Sequence, residues 1–218
     1  MLIDLLAYAF FALVGAAALT QPSQRLMRWF LERNADSLAE YDLQPGPVAS
    51  NLVVGAGLAV AMFVGLCIPV SIAGKALSFF FLPWLWLLWL IDNAFQFIFD
   101  DSLLPLLLLA LVATPWLPCS LWERLAAGAG ALLVLTLLAI LGRGALGGGD
   151  VKLMGVLGLW LGINGIVRTA SVGFMLGGAY ALVMLLLRLR KRKDYFAFGP
   201  FLIIGAVVAW LAQVPLWK

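Results

Sequence analysis

Apolar residues run along this chain in long blocks separated by short polar gaps, and the block lengths approach those of helices that cross a bilayer. A crossing helix needs about 20 apolar residues, with a range of roughly 17 to 25. Eight stretches come near that length, at 2–20, 51–70, 77–92, 103–118, 121–141, 152–168, 169–187 and 198–216. The pattern predicts an all-α, polytopic membrane protein with about eight transmembrane helices. The third and fourth stretches are the least regular. Residues 79–99 also read as one bent span, and Pro105 and Pro115 interrupt the stretch that follows.

The only sizeable polar segment is 21–50, where 25–38 is expected to form a short interfacial helix with Leu26, Trp29, Phe30 and Leu38 on its apolar side. Pro45-Gly46-Pro47 then breaks the chain. That segment is too small for a separate enzymatic domain, so 1–218 reads as a single membrane domain with a short cytoplasmic loop at 21–50. The first stretch carries Asp4 and no basic region ahead of it, which predicts a retained helix rather than a cleaved signal peptide.

Composition narrows the class further. Only 11% of residues are charged and 64% are hydrophobic, whereas a soluble domain is about 25% charged. The net charge of +3 sits in short gaps between apolar blocks, so it reads as a topology signal and not as a nucleic-acid footprint. With the N-terminus outside, Arg25, Arg28, Arg33, Arg143, Lys152 and the basic run at 188–193 all fall inside, and only Lys75, Arg124, Arg168 and Lys218 fall outside. The positive-inside rule favours that orientation, and it brings Asp92 and Asp150 to the inner membrane face. The basic run reads as an anchor on anionic membrane lipid.

The chain has no histidine, which excludes Ser-His catalysis, H-E-x-x-H metalloprotease chemistry and histidine proton relays together. Its two cysteines, Cys67 and Cys119, cannot build a four-ligand zinc site; both fall near the outer face and are expected to be free or paired there. The Trp84, Trp86 and Trp89 cluster reads as a helix face in lipid or core.

Two carboxylates remain as chemistry. Asp92 closes the third apolar stretch, and Asp150 follows the glycine turn Gly147-Gly148-Gly149 at the start of the sixth. An acid at the mouth of a membrane helix is costly, which makes each a functional candidate. Proteolysis by carboxylates needs two acids close enough to share one proton, so that one is acid and the other base at the same pH. The glycines are expected to adopt backbone angles closed to other residues and to let a substrate strand approach without a Cβ in the way. A flexible glycine linker with Asp150 as helix cap is the plainer reading of the same residues.

The wider pattern resembles the prepilin peptidases. Gly147-x-Gly149-Asp150-x-Lys152-Leu153, then Leu157-Gly158-x-Trp160-Leu161-Gly162, then Phe198-Gly199-Pro200-Phe201 match that family in order and separation. Upstream, the family's Ile-Asp followed by Leu-Pro-Asp is met only in part by Ile91-Asp92, Gln96 and Asp100, with Phe99 where the proline stands. The resemblance covers about 77–216, the expected peptidase core. It implies a membrane aspartic endopeptidase with Asp92 and Asp150 catalytic and with Gly147, Gly149, Lys152, Gln96 and Asp100 supporting the site. Asp100 and Asp101 are rivals to Asp92 for the first acid; together with Ser102 they also read as the N-cap of the fourth helix.

By the same resemblance, the substrates are type IV prepilins or pseudopilins, the partners are pilus or type II secretion assembly machinery, and the setting is the bacterial inner membrane with the site facing the cytoplasm. Bifunctional members carry a cytoplasmic insert with two C-x-x-C pairs, associated with N-methylation of the cleaved pilin. Segment 21–50 has no cysteine. Neither methylation, nor a metal, nor a cofactor is therefore expected. Asp36, Glu40 and Asp42 read as a solvated loop face or as a contact for a basic leader. Two other readings use the same acids: an ion- or proton-coupled transporter, and an inactive assembly protein of the same fold.

Overall fold

The computed structural model describes residues 2–35, 49–68, 70–142, 146–187 and 198–213, and the regular elements among them are all helical. In chain order they are α1 (Leu2–Arg33), α2 (Asn51–Cys67), α3 (Ile72–Phe95), α4 (Asp100–Val112), a 3₁₀ turn at Thr114–Trp116, α5 (Leu121–Leu141), α6 (Gly148–Leu186) and α7 (Gly199–Ala212). Helix lies in every one of the expected stretches. Among the described residues, α1 over Asp4–Phe30, α3, α5 and α6 are long and apolar enough to cross a membrane, while α2 and α7 are shorter apolar helices. Asp36, Glu40, Asp42, Pro45-Gly46-Pro47 and the basic run at 188–193 lie outside the described residues.

The chain forms two compact units, one of the described residues up to Pro118 and one from Cys119 to Gln213. In the first, Ser50 and Ser71 cap α2 and α3 by accepting from the backbone N–H of Val53 and Gly74. Gly57 lets the Trp86 ring lie on α2, and Gly65 brings α2 against the α3 backbone, where a Cβ would stand 3.0 Å from the Ser78 carbonyl carbon. Lys75 Nζ donates to the Tyr8 hydroxyl at 2.7 Å and ties α3 to α1. The core gathers Met27 and Phe30 of α1, Val54 and Leu58 of α2, and Leu87, Ile91 and Phe95 of α3 with Phe99.

That core explains one departure from expectation. A loop was expected from residue 21 with a separate helix from 25, yet α1 runs unbroken through Pro22 to Arg33. Met27 and Phe30 are buried at 2% exposure, Phe30 stacks on Phe99, and Gln24 Nε2 donates to the Ala49 carbonyl at 3.0 Å. Tertiary packing of this kind sustains helix where a proline alone would end it. Residues 79–99 likewise do not form one span. α3 ends on Gln96, which takes the left-handed conformation (φ 52°, ψ 27°) and returns its N–H to the Asp92 carbonyl.

In the second unit α5 packs antiparallel to the first part of α6, and α7 packs antiparallel to the second. The α5 seam is made by glycine. A Cβ on Gly158 would stand 2.6 Å from the Gly128 nitrogen, and one on Gly128 would stand 2.8 Å from the Gly155 carbonyl. A boundary between two spans was expected after residue 168. The break instead falls at Gly162 (φ 65°, ψ −174°), a conformation open essentially to glycine alone, and divides α6 into arms 148–161 and 163–186.

Candidate active site

Asp92 sits in the last turn of α3, directly after Ile91 and three residues before Phe95, both core residues. It is 3% exposed although it stands near a helix end. The left-handed Gln96 follows, with an exposed side chain, and Asp100 opens α4 on the surface. These acids do not cap α4 as expected. Phe99 occupies the cap position without a side-chain bond, Asp100 and Asp101 lie in the first turn, and the Ser102 hydroxyl donates to the Phe99 carbonyl. Phe99 is drawn into the core, which carries the helix start one residue upstream of the acids, where their charge still favours the N-terminal dipole. Asp101 pairs with Arg33 Nε at 2.7 Å, so α1 and α4 meet there.

Asp150 is the third residue of α6 and is 8% exposed. Its backbone N–H returns to the Gly147 carbonyl at 3.1 Å, while the Gly147 N–H hydrogen-bonds the Asp150 carboxylate. The three glycines do not need angles closed to other residues: Gly147 is extended (φ −66°, ψ 141°), and Gly148 and Gly149 are already helical. What Gly147 provides is space, since a Cβ there would stand 3.2 Å from Asp150 Oδ2. Lys152 lies on the exposed side of the same turn. With Gly148, Val151, Leu132, Thr136, Ala139 and Ile140 it lines an open groove of about 610 Å³ along α5 and α6.

Asp92, Gln96 and Asp100 thus belong to the first unit, and Gly147, Gly149, Asp150 and Lys152 to one turn of the second. Among the described residues, no three Asp, Glu, Cys or His side chains gather where a metal ion is held. Cys67 and Cys119 are free thiols. Sequence reasoning passed over Arg124 and Gln213, both buried in the second unit. The signal was present in each: a lone cation inside an apolar helix, and a lone amide in the last apolar stretch.

With helical elements throughout the described residues and four helices of membrane length, the chain is a multi-pass membrane protein. Residues 79–182 match the type IV leader peptidase family, a span that takes in both acids. The chain is similar to the prepilin leader peptidase/N-methyltransferase of Neisseria gonorrhoeae, with 29% identity over 59% of this chain and 46% of that protein. The protein of the same name from Pseudomonas aeruginosa is 32% identical over 59% of this chain and 44% of its own length. That of Bacillus subtilis is 33% identical over 43% and 38%. The chain therefore spans less than half the length of these relatives. No solved structure matches it.

Proposed function

We propose that this chain is a membrane aspartic endopeptidase that removes the leader of type IV prepilins or pseudopilins, with Asp92 and Asp150 as its acid pair. The observation that carries the reading is the withdrawal of both carboxylates from solvent, to 3% and 8% exposure, at helix ends where solvent is ordinarily close. Burying an acid is costly without a partner or a task. The family match over both positions supports the same assignment.

In this mechanism the pair holds one proton and one water. The ionised acid takes a proton from the water, whose oxygen attacks the scissile carbonyl carbon, while the protonated acid gives its proton to the carbonyl oxygen. The first acid, now protonated, gives that proton to the leaving nitrogen, while the second, now ionised, takes one back from a hydroxyl of the tetrahedral intermediate. The C–N bond breaks, and the products are a leader carboxylate and a new N-terminal amine. The missing Cβ of Gly147 leaves room for the substrate strand beside Asp150. The apolar groove next to Lys152 suits a helix that stays in the bilayer, so that binding energy from the non-reacting helix positions the bond.

We place the site at the cytoplasmic face of the bacterial inner membrane, on the charge asymmetry of the sequence. A straight 39-residue α6 would be about 58 Å long, nearly twice a hydrocarbon core of about 30 Å. We read two crossings divided at Gly162, with arm 148–161 a short one, and a total near eight. Pilus or secretion assembly proteins would be the partners.

A transporter would also contain a broken helix. Here, however, Arg124 and Gln213 already hold carbonyls at the break, and Asp150 stands about 18 Å along the arm from it. The test of the peptidase reading is incubation of the purified chain with a prepilin and mass analysis of the product. Cleavage at the leader junction, lost in Asp92→Asn and in Asp150→Asn, is expected; cleavage by either variant at the normal rate would sink the assignment.

A further inference from the structure

The end of arm 148–161 opposite Asp150 holds unusual chemistry. Because Gly162 leaves the helical region, the carbonyls just before it stand at the end of a helical arm, where such groups call for partners from elsewhere. Two are taken by side chains from neighbouring helices. Arg124 Nε, in the first turn of α5, donates to the Leu159 carbonyl, and Gln213 Nε2, just past α7, donates to the Leu161 carbonyl. Arg124 is fully buried and Gln213 is 2% exposed. A buried cation in a membrane-length helix is costly and marks a task. Gln213 is held in place although its Oε1 has no partner among the described residues. Both donors face the negative end of the arm's dipole, where a cation and an N–H are most favourable.

The end that carries Asp150 begins in glycine. Gly147, Gly148 and Gly149 have no side chains with which to anchor it, and nothing lies within 4 Å of where a Cβ on Gly148 would stand. Between the two ends, Gly128, Gly155 and Gly158 bring α5 and the arm into close approach. Such a seam fixes the separation of the two helices, and its contacts across the glycines are apolar, Leu132 against Gly155 and Leu159 against Gly128. A helix moves axially as a unit, so a slip at Leu161 reaches Asp150 undiminished.

We infer that Arg124 and Gln213 are positioning residues: by clamping the Leu159 and Leu161 carbonyls they set the axial position of Asp150. The inference rests on the reading of Asp150 as one of the two reacting acids.

Arg124→Met and Gln213→Met keep side-chain volume and remove the donor, while Arg124→Lys keeps the charge and moves the donor past the Nε position. Each full chain is purified, and prepilin cleavage is measured as kcat per folded enzyme, KM, and the pH dependence of kcat, beside Asp150→Asn. Both Met variants should lower kcat by about 10- to 100-fold, the scale of a misplacement near 1 Å, with KM unchanged. They should also draw the acidic and basic limbs of the profile together, because the limbs belong to the pair and their separation depends on its spacing. Arg124→Lys should recover part of the loss. Loss of folded protein scales a profile without moving its limbs. With Asp150→Asn inactive, normal kcat per folded enzyme in the Met variants, or a lowered kcat with unmoved limbs, overturns the clamp. An active Asp150→Asn instead overturns the reading of Asp150, and the clamp's role with it. Should Arg124→Met fail to accumulate, Gln213→Met decides alone.

Discussion

The sulfur of Cys119 lies 2.8 Å from the point where a Cβ on Gly162 would stand, and Glu123 Oε1 lies 3.1 Å from the same point. The break in α6 is therefore closed to larger residues twice over, by its neighbours and by its own backbone at φ 65° and ψ −174°. Gly162→Ala should cost about 1–3 kcal/mol from the backbone alone. Thermal unfolding in detergent checks this, and the double variant with Cys119→Ala separates the two causes. Most of the loss should persist in the double variant, since removing the sulfur relieves the contact and leaves the dihedral strain. A Gly162→Ala protein as stable as the parent would contradict the break itself.

The seam between α5 and α6 makes a second prediction, through two glycines that look alike in sequence. A Cβ on Gly158 would meet the Gly128 nitrogen and Cα at 2.6 and 2.7 Å, and backbone atoms cannot turn aside. A Cβ on Gly130 would meet nothing within 4 Å. Gly158→Ala should destabilise by about 1–3 kcal/mol, the usual range for overpacking. Gly130→Ala should be neutral or stabilising by about 0.4–1 kcal/mol. Equal effects at the two positions would mean that the helices are not this close.

These glycines mark the limit of what the sequence discloses. Asp92 and Asp150 stood out because a charge in an apolar block is rare, and α5 was bounded correctly at 121–141, with Ser120 capping its start and Gly142 closing its end. The break at Gly162 did not stand out. Gly155, Gly158, Gly162 and Gly165 share one apolar stretch of sequence, and only the three-dimensional path shows which of them leaves the helix. The extension of α1 was hidden for a related reason, since it depends on Phe30 meeting Phe99, far along the chain. Arg124 reads from the sequence as an outer-face charge, and nothing there tells that its Nε ends on the Leu159 carbonyl.

The acids give a third prediction, which separates Asp92 from its rivals. Asp92→Asn and Asp150→Asn should each lower kcat by about a thousandfold or more, since members of a catalytic unit are not individually dispensable. Asp100→Asn and Asp101→Asn should keep most of the activity. The Asp101 pair with Arg33 is partly exposed, and such pairs contribute about 0–1 kcal/mol. Cleavage assays on the four variants decide it, and an inactive Asp100→Asn beside an active Asp92→Asn would reverse the assignment.

Cys119 supplies a pH-dependent handle just ahead of α5. Burial, and then the charge of Glu123 beside it, hold its thiol above the usual range. Only the thiolate reacts with iodoacetamide, so a raised thiol is under-ionised near neutrality and reacts slowly there. Its alkylation rate should keep climbing with pH after an unhindered thiol has levelled off. Glu123→Gln removes one cause and should speed the reaction near neutrality, with the advantage fading as pH rises. An advantage of constant size at all pH values would mean that the substitution acts through access to the sulfur and not through charge.

The last prediction concerns methylation. Transfer of a methyl group to the new N-terminal amine needs a pocket for S-adenosylmethionine, and the similar proteins named above are each called both leader peptidase and N-methyltransferase. In this chain α1 takes up 21–33 as helix, so the connection from α1 to α2 is shorter than 21–50 alone implied. It contains no cysteine to hold a metal or a disulfide. Segments below about 40 residues rarely fold without such a staple. The chain should therefore cleave a prepilin without added cofactor and release an unmethylated amine, even with S-adenosylmethionine present. Intact mass of the product decides it: a gain of about 14 Da, the mass of one added methylene, catalysed by this chain alone would show that another part of the fold binds the methyl donor.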